Sequence, residues 1–199
     1  ICVKADRVAE YQEEVVRRRS LVRELARGVP AIPVRPLVWE LGCGHGHFLN
    51  AYAAAHPERL CIGVDLVAER VARAQRKCNR QRQTNLFFCR SEARLFLEEW
   101  PEERRFDSVF ILFPDPWPKS RHHKHRILQP EFLSLLGARC KPGAFLHFRT
   151  DFQPYFREAE TTILAHPDWD LVNEPWPFEF ATVFQNRAAQ FDSLTARRR

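Results

Sequence analysis

The sequence has no methionine, and its 199 residues begin with isoleucine, so we expect the natural N-terminus to lie upstream of Ile1. No CxxC pair occurs among its six cysteines. Several of them lie in apolar runs, where a free thiol behaves as a small hydrophobic group, which favours reduced core cysteines. No apolar run approaches the roughly 20 residues of a membrane span, and no signal-peptide pattern occurs. We therefore expect a soluble, cytoplasmic protein with no membrane partner.

The composition is typical of a chain that can build a sizeable core. Hydrophobic residues make up 45% of it, aromatic residues 12% and charged residues 28%, which excludes a disordered polar chain and a disulfide mini-protein. Because no repeat and no Pro/Gly/Ser linker divides the sequence, residues 1–199 are predicted to form a single domain. The net charge of +6 favours a polyanionic partner. The sequence leaves the oligomeric state open between monomer and homodimer.

Short apolar runs alternate with helical patterns along most of the chain. Continuous apolarity is typical of strands that are buried on both faces of a parallel sheet, so the alternation predicts a Rossmann-like, doubly wound α/β fold. Residues 170–185 are predicted to add an antiparallel hairpin at the sheet edge, which gives seven strands, mostly parallel. The predicted parallel strands are Leu37–Leu41, Cys61–Leu66, Asn85–Cys89, Ser108–Phe113 and Phe145–Arg149.

Three stretches have the periodicity of amphipathic helices. One contains Val67, Val71, Ala74 and Cys78, and another runs from Glu131 to Cys140 and ends in Lys-Pro-Gly. The third lies in residues 1–30, where Tyr11 to Arg27 have an apolar side and an opposite side of five arginines. We favour a solvated basic face for these arginines, with a nucleic-acid contact as the alternative. They are Arg17, Arg18, Arg19, Arg23 and Arg27.

The first predicted strand runs into the glycine-rich segment Glu40–Gly46, a G-x-G-x-G pattern. Its glycines allow a sharp turn and a close approach to a ligand at the start of the next helix. Because a pyrophosphate disfavours a neighbouring carboxylate whereas a sulfonium or amino group favours one, Glu40 indicates S-adenosylmethionine (SAM) over NAD. Asp65, at the end of the second strand, can accept both ribose hydroxyls. Ser91–Ala93, after the third strand, can hold an adenine edge.

The fourth strand ends in Phe113–Lys119, where three prolines alternate with Asp115, Trp117 and Lys119. This composition predicts a stiff loop at the carboxyl end of the sheet, where ligands bind in such folds. The segment Ser120–Arg126 that follows has no acidic residue and three histidines. Neighbouring histidines chelate poorly, and the adjacent cations repel a metal ion, so we favour a phosphate contact over a metal site.

These motifs closely resemble those of bacterial tRNA (guanine-N7-)-methyltransferases, over about Leu37 to Arg187. The proline–tryptophan–histidine stretch is highly specific to that family, and Phe148–Asp151 and Thr182–Arg187 are similar to two further motifs of it. The resemblance implies a class I methyltransferase fold with a catalytic core over residues 37–187. It also implies SAM-dependent methylation of guanine N7 in the variable loop of tRNA, which yields 7-methylguanosine and S-adenosylhomocysteine without a metal.

The resemblance also assigns roles to individual residues. The implied SAM contacts are Glu40, Gly42, Cys43, Gly44, Asp65, Leu66, Glu92, Ala93 and Asp115. The implied contacts to the target guanosine are Lys119, Asp151, Thr182, Gln185 and Arg187. The expected RNA contacts are Arg121, His122, His123 and Lys124. The sequence departs from the family at Gln185, where glutamate is usual, and at Glu92, where aspartate is common.

The implied reaction needs few reactive side chains. Guanine N7 carries an in-plane lone pair and requires no base, and charge moves onto the purine, so nearby carboxylates should stabilise the transition state. Asp115 and Asp151 are the candidate catalytic residues. Three alternatives stay open: an amino-group methyltransferase acting on another base, a non-catalytic RNA-binding protein and an NAD-dependent dehydrogenase.

Overall fold

A computed structural model describes residues 2–30, 35–180, 188 and 190–199 of the chain. The strands are β1 (Leu37–Leu41), β2 (Leu60–Asp65), β3 (Leu86–Arg90), β4 (Phe106–Leu112), β5 (Cys140–Thr150), β6 (Trp169–Val172) and β7 (Asp192–Arg198). The helices are α1 (Cys2–Gly28), α2 (His47–Ala55), α3 (Ala68–Arg80), α4 (Ala93–Glu99), α5 (Pro130–Arg139) and α6 (Gln153–Leu164), with a 3₁₀ helix over Ser120–His125. None of the helices in these ranges is long and apolar enough to cross a bilayer.

The strands form one seven-stranded sheet in the order β3-β2-β1-β4-β5-β7-β6. Strands β1 to β5 are parallel and β7 is antiparallel to both its neighbours, so the predicted mostly parallel α/β sheet is confirmed. Strand β5 begins earlier than predicted. The Lys-Pro-Gly segment that was expected only to end α5 instead lies in a bulge at the start of β5, where the register shifts between Phe106 and Ser108.

The predicted edge hairpin exists, but its second strand was placed wrongly. β6 pairs with β7, which comes after the expected range 170–185, and residues 173–180 contain no strand. Pro175 and Pro177 offer no N–H groups to a ladder. β7 alternates instead: Leu194 and Ala196 face the core, while Thr195 contacts His147 on the other face of the sheet. Burial lowers the pKa of His147 to about 3, so this imidazole is neutral at physiological pH.

The sheet carries a hydrophobic core on each face. The larger core packs α1, α4, α5 and α6 against one face, with Trp39 stacked against both Phe96 and Phe106. The smaller core packs α2, α3 and residues 176–180 against the other face. Because side chains alternate along each strand, neighbours such as Val38 and Trp39 enter different cores, which explains why all of β1 except Glu40 is apolar.

The solvated basic face that we favoured for α1 is confirmed only in part: Arg17, Arg23 and Arg27 are exposed, but carboxylates pair with most of the arginines of this face. Arg18 is buried and pairs with Glu92, while Arg19 and Arg23 both pair with Glu99 of α4. Arg17 pairs within the helix with Glu14. The helical pattern of α1 could not reveal these ion pairs, because the acidic partners of its arginines lie about 75 to 80 residues further along the chain, at the start and end of α4.

Candidate active site

The loop between β1 and α2 is fixed by hydrogen bonds to the end of β2. The N–H groups of Gly42 and Cys43 both donate to the Val64 carbonyl, at 2.8 and 3.1 Å. The turn is closed by a bond of 2.8 Å from the Gly46 N–H to the Cys43 carbonyl, with Gly44 and Gly46 at φ values of 53° and 64°. This left-handed conformation explains why glycine stands at both positions.

The two glycines differ in the space that a methyl group would find, which predicts unequal costs of substitution. A Cβ at Gly44 would meet nothing within 4 Å, so Gly44→Ala should cost only the left-handed backbone strain, about 1–2 kcal/mol. A Cβ at Gly46 would lie 2.7 Å from the Phe88 ring and 2.8 Å from the Ala74 side chain. Gly46→Ala should therefore lower the free energy of unfolding by roughly 1–3 kcal/mol more than Gly44→Ala does. Urea unfolding of both variants tests this, and equal losses would contradict it.

Asp65, at the end of β2, connects the glycine loop to the start of α3. Its Oδ2 accepts a hydrogen bond of 2.9 Å from Gly44 N–H, and its Oδ1 accepts one of 2.8 Å from Val67 N–H. Each carboxylate oxygen has a second lone pair, so the group can still accept bonds from a ligand. Leu66 and Val67 beside it are 47% and 42% exposed, and they offer apolar surface at the same place.

Glu40 lies on β1, beneath this loop, with its side chain buried. Its Oε2 has no hydrogen-bond partner among the residues that the structure describes, and a backbone bond from Leu49, in the first turn of α2, offsets only part of the cost of burial. Burial, and then the charge of Asp65, raise the pKa of Glu40 well above its ordinary value of 4.5. Burial, and then the charges of Glu40 and Asp65, raise the pKa of the Cys43 thiol, which is therefore a poor nucleophile.

The raised pKa of Glu40 predicts a pH-dependent stability. A carboxyl with a higher pKa in the folded than in the unfolded state binds its proton more tightly when folded, so stability is lost as pH rises above about 4.5 towards the folded pKa. Glu40→Gln removes this loss and keeps an acceptor for Leu49. The variant should gain stability relative to the wild type as pH rises, as measured by urea unfolding. A difference that stays constant with pH would contradict the prediction.

The start of α4, after β3, lies beside the glycine loop and Asp65. Ser91 N–H donates to the Asp65 carbonyl at 3.2 Å, which brings Glu92 and Ala93 next to the end of β2. The Glu92 Oε1 accepts a bond of 2.7 Å from Arg18, so α1 orients this carboxylate while Oε2 has no partner in the described residues. No local pattern around Glu92 indicates this long-range partner.

The proline-rich loop after β4 is held in an unusual conformation. Phe113 and Trp117 have φ values of 49° and 44°, a conformation that is uncommon for large residues and is enriched at functional sites. Arg126, with its side chain 1% exposed, holds the loop from below. It donates to the carbonyls of Pro116 at 2.9 Å and Trp117 at 3.4 Å, pairs with Glu158 and lies 4.9 Å from the Tyr155 ring. We did not identify Arg126 from the sequence.

The charged residues predicted to face the substrate are exposed. Asp115, Asp151 and Lys119 are exposed, and within the described ranges their side chains form no hydrogen bond or ion pair. Arg121 and Lys124 are also exposed, whereas His122 packs edge-on against Trp117 and His123 lies 3.5 Å from Glu158. The predicted contacts Thr182, Gln185 and Arg187 lie outside the described residues.

Strand pairing brings these parts to one edge of the sheet. Leu41 is in register with both Val64 and Ile111, so the loops that follow β1, β2 and β4 leave the same edge. Phe113 N–H donates to the Arg149 carbonyl at 2.7 Å, which joins the proline-rich loop to the end of β5, near Asp151. In the described part of the chain, no group of three or more His, Cys, Asp or Glu side chains could hold a metal ion.

Comparison with known proteins assigns the family. A protein-family model described as "Putative methyltransferase" matches residues 34–190. A tRNA (guanine-N(7)-)-methyltransferase from Caulobacter vibrioides is 37% identical over 164 residues, which cover 78% of this chain and 71% of that protein. The chain belongs to the bacterial tRNA (guanine-N7-)-methyltransferase family.

Other members of the tRNA (guanine-N7-)-methyltransferase family match over less of their length. The Nitrosomonas europaea protein is 39% identical over 120 residues, which cover 60% of this chain and 54% of that protein. The chain thus spans about half the length of several curated relatives. The aminoglycoside resistance methyltransferase NpmB1 has a TM-score of 0.60 at 17% identity, over 89% of this chain and 93% of NpmB1. This structural likeness confirms the methyltransferase fold.

Proposed function

We propose that this protein is a cytoplasmic tRNA methyltransferase that transfers a methyl group from SAM to guanine N7 in the tRNA variable loop. The products are 7-methylguanosine and S-adenosylhomocysteine. The observation that carries the proposal is the shared edge of the sheet. There the glycine loop, Glu40 and Asp65 adjoin the strained, proline-rich loop of Asp115. Family membership and the basic net charge of +6 support tRNA as the substrate.

The residues present fit SAM. Asp65 has lone pairs free for the ribose hydroxyls, and Leu66 and Val67 offer exposed apolar surface for the adenine. Oε2 of Glu40 has no hydrogen-bond partner among the described residues, so a cationic ligand beside it would stabilise the ionised form of this buried carboxyl. Glu92 and Ala93 complete the site for the adenine of SAM. Gly42, Cys43 and Gly44 form the turn that would lie against the rest of the cofactor. When bound, SAM supplies an electrophilic methyl group on a sulfonium centre.

The chain's own contribution is to orient the guanine and stabilise charge. N7 attacks with an in-plane lone pair, so no side chain has to remove a proton, and we assign no general base. Asp115 and Asp151, with no competing partner in the described residues, stabilise the positive charge that develops on the purine. Lys119 binds the base carbonyl or a phosphate, and Thr182, Gln185 and Arg187 complete the guanosine site. Because Gln185 replaces the usual glutamate, this site has one negative charge fewer.

The RNA backbone is assigned to the segment that follows Trp117. Arg121 and Lys124 are exposed cations suited to binding phosphates, and His122 and His123 lie next to them as further RNA contacts. Trp117 is fixed by its contacts with His122 and His125 and offers an aromatic face for stacking.

Transfer of a labelled methyl group from SAM to bulk tRNA, followed by digestion to nucleosides, tests the proposal. We expect 7-methylguanosine as the labelled product. Label in a different methylated nucleoside would indicate an amino-group methyltransferase instead. SAM binding without transfer would indicate a non-catalytic RNA-binding protein. A cofactor panel read by thermal shift should show stabilisation by SAM and none by NAD; the reverse would favour a dehydrogenase.

A further inference from the structure

A second basic surface lies on α3, outside the residues assigned to the active site. It borders a groove of about 660 Å³ whose lining includes His45, His47, Arg73, Arg76, Lys77 and Arg80 and contains no carboxylate. Arg73, Arg76 and Arg80 recur at intervals of three and four residues, so they follow one side of the helix over about 10 Å. The groove begins at the glycine loop, to which His45 belongs.

The cations of this groove lack the intramolecular partners that other arginines have. Arg76 and Arg80 are exposed and form no ion pair or hydrogen bond within the described ranges, and only Arg73 has a carboxylate partner, Glu69. On α1, by contrast, four arginines pair with glutamates of α1 and α4. Most arginines of α1 thus form ion pairs within the protein, whereas Arg76 and Arg80 of α3 are available to bind a ligand.

The groove also brings like charges close together. Lys77 Nζ lies 2.7 Å from His47 Nδ1, which makes the imidazole an acceptor for the ammonium group. Partial burial, and then Arg80, lower the pKa of Lys77, and burial, Lys77 and His45 lower that of His47. An anion bound in the groove would favour the charged forms of Lys77 and His47 and so oppose both shifts.

We propose that the α3 groove binds phosphate groups of the folded RNA substrate, as a second contact surface beside the active site. This inference rests on the proposed function for the identity of the RNA. A row of arginines along two helical turns suits a sugar–phosphate backbone, because each guanidinium can bind one phosphate in a bidentate manner. The carboxylate of SAM is the other anion available near the glycine loop, so the test must distinguish the two.

The test compares two variants that carry the same change in net charge. Arg76→Gln/Arg80→Gln removes two groove cations and keeps good helix formers. Arg105→Gln/Arg157→Gln is the control, since both arginines are exposed and without side-chain partners in the described residues. Affinity for labelled tRNA is measured between 50 and 200 mM KCl, and affinity for SAM is measured by calorimetry.

We expect the groove variant to bind tRNA about 10-fold more weakly, with the slope of log affinity against log salt reduced by about 1.5–2. Its SAM affinity and its turnover at saturating tRNA should match the wild type. Equal losses in both variants would reduce the effect to net charge and overturn the inference. Weaker SAM binding with unchanged tRNA binding would assign the groove to the cofactor and also overturn it. A wild type that binds tRNA but does not methylate it would contradict the proposed function alone.

Discussion

Asp115→Asn is expected to lower the rate of methyl transfer to tRNA by about 10²–10³-fold or more, with the fold intact. The carboxylate is exposed and unpaired within the described residues, on a loop whose backbone is strained on both sides of it. Charge that develops on the purine would lose one of the two carboxylates proposed to stabilise it, and removal of one such electrostatic group from an active site typically costs this much. Single-turnover methylation at saturating SAM measures the effect directly.

The control for Asp115→Asn is a matched change from carboxylate to amide at the opposite end of the sheet. Glu103 precedes β4, is exposed and has no side-chain partner among the described residues, so Glu103→Gln should leave the rate unchanged. Both variants should unfold within about 0.5 kcal/mol of the wild type, because each changes only an exposed polar group. Undiminished transfer by Asp115→Asn would remove this residue from the mechanism.

The parallel part of the sheet could be predicted from the sequence because the features that indicate it lie within short stretches of the chain. Runs such as those of β1 and β2 are apolar on both faces, and glycines mark the turn that follows β1, so a parallel core and a ligand-binding edge could both be inferred. The end of the sheet was harder. β7 reads Asp-Ser-Leu-Thr-Ala-Arg-Arg, and only pairing with β5 shows that its two apolar residues, Leu194 and Ala196, face the core.

A site residue could be predicted when its own chemistry and its place after a strand indicated a role. It was missed when its role depends on a partner that is distant in the sequence. Asp65 follows a strand, so its place at the rim could be inferred. Arg18 and Arg126 could not be found in this way, because each acts on a group distant in sequence or on backbone carbonyls. The exposed arginines of α3 and the buried Arg18 of α1 look alike in sequence, and only the packing of α1 against α4 separates them.

Arg126→Lys is expected to lower turnover about 10²-fold while SAM affinity stays at the wild-type value. Arg126 is a positioning residue: it joins the carbonyls of Pro116 and Trp117 to Glu158 and thereby sets the loop that carries Asp115. A lysine ammonium lacks the planar fork that reaches all three groups, so the loop should shift. A misplacement of about 1 Å at reacting groups can cost a rate factor of this size. Turnover at saturating tRNA, and the affinity for SAM, are the two measurements.

Two further variants separate positioning from stability. Arg126→Ala leaves Glu158 with only His123 beside it and removes the donor to the carbonyls of Pro116 and Trp117. It should cost on the order of 1–3 kcal/mol in urea unfolding, so its activity alone would be uninformative. Arg157→Ala changes the neighbouring exposed arginine of α6, which has no side-chain partner in the described residues, and should alter neither stability nor turnover. If Arg126→Lys instead weakens SAM binding and leaves turnover at saturation unchanged, Arg126 acts on the cofactor side, and the proline-rich loop does not depend on it for its catalytic conformation.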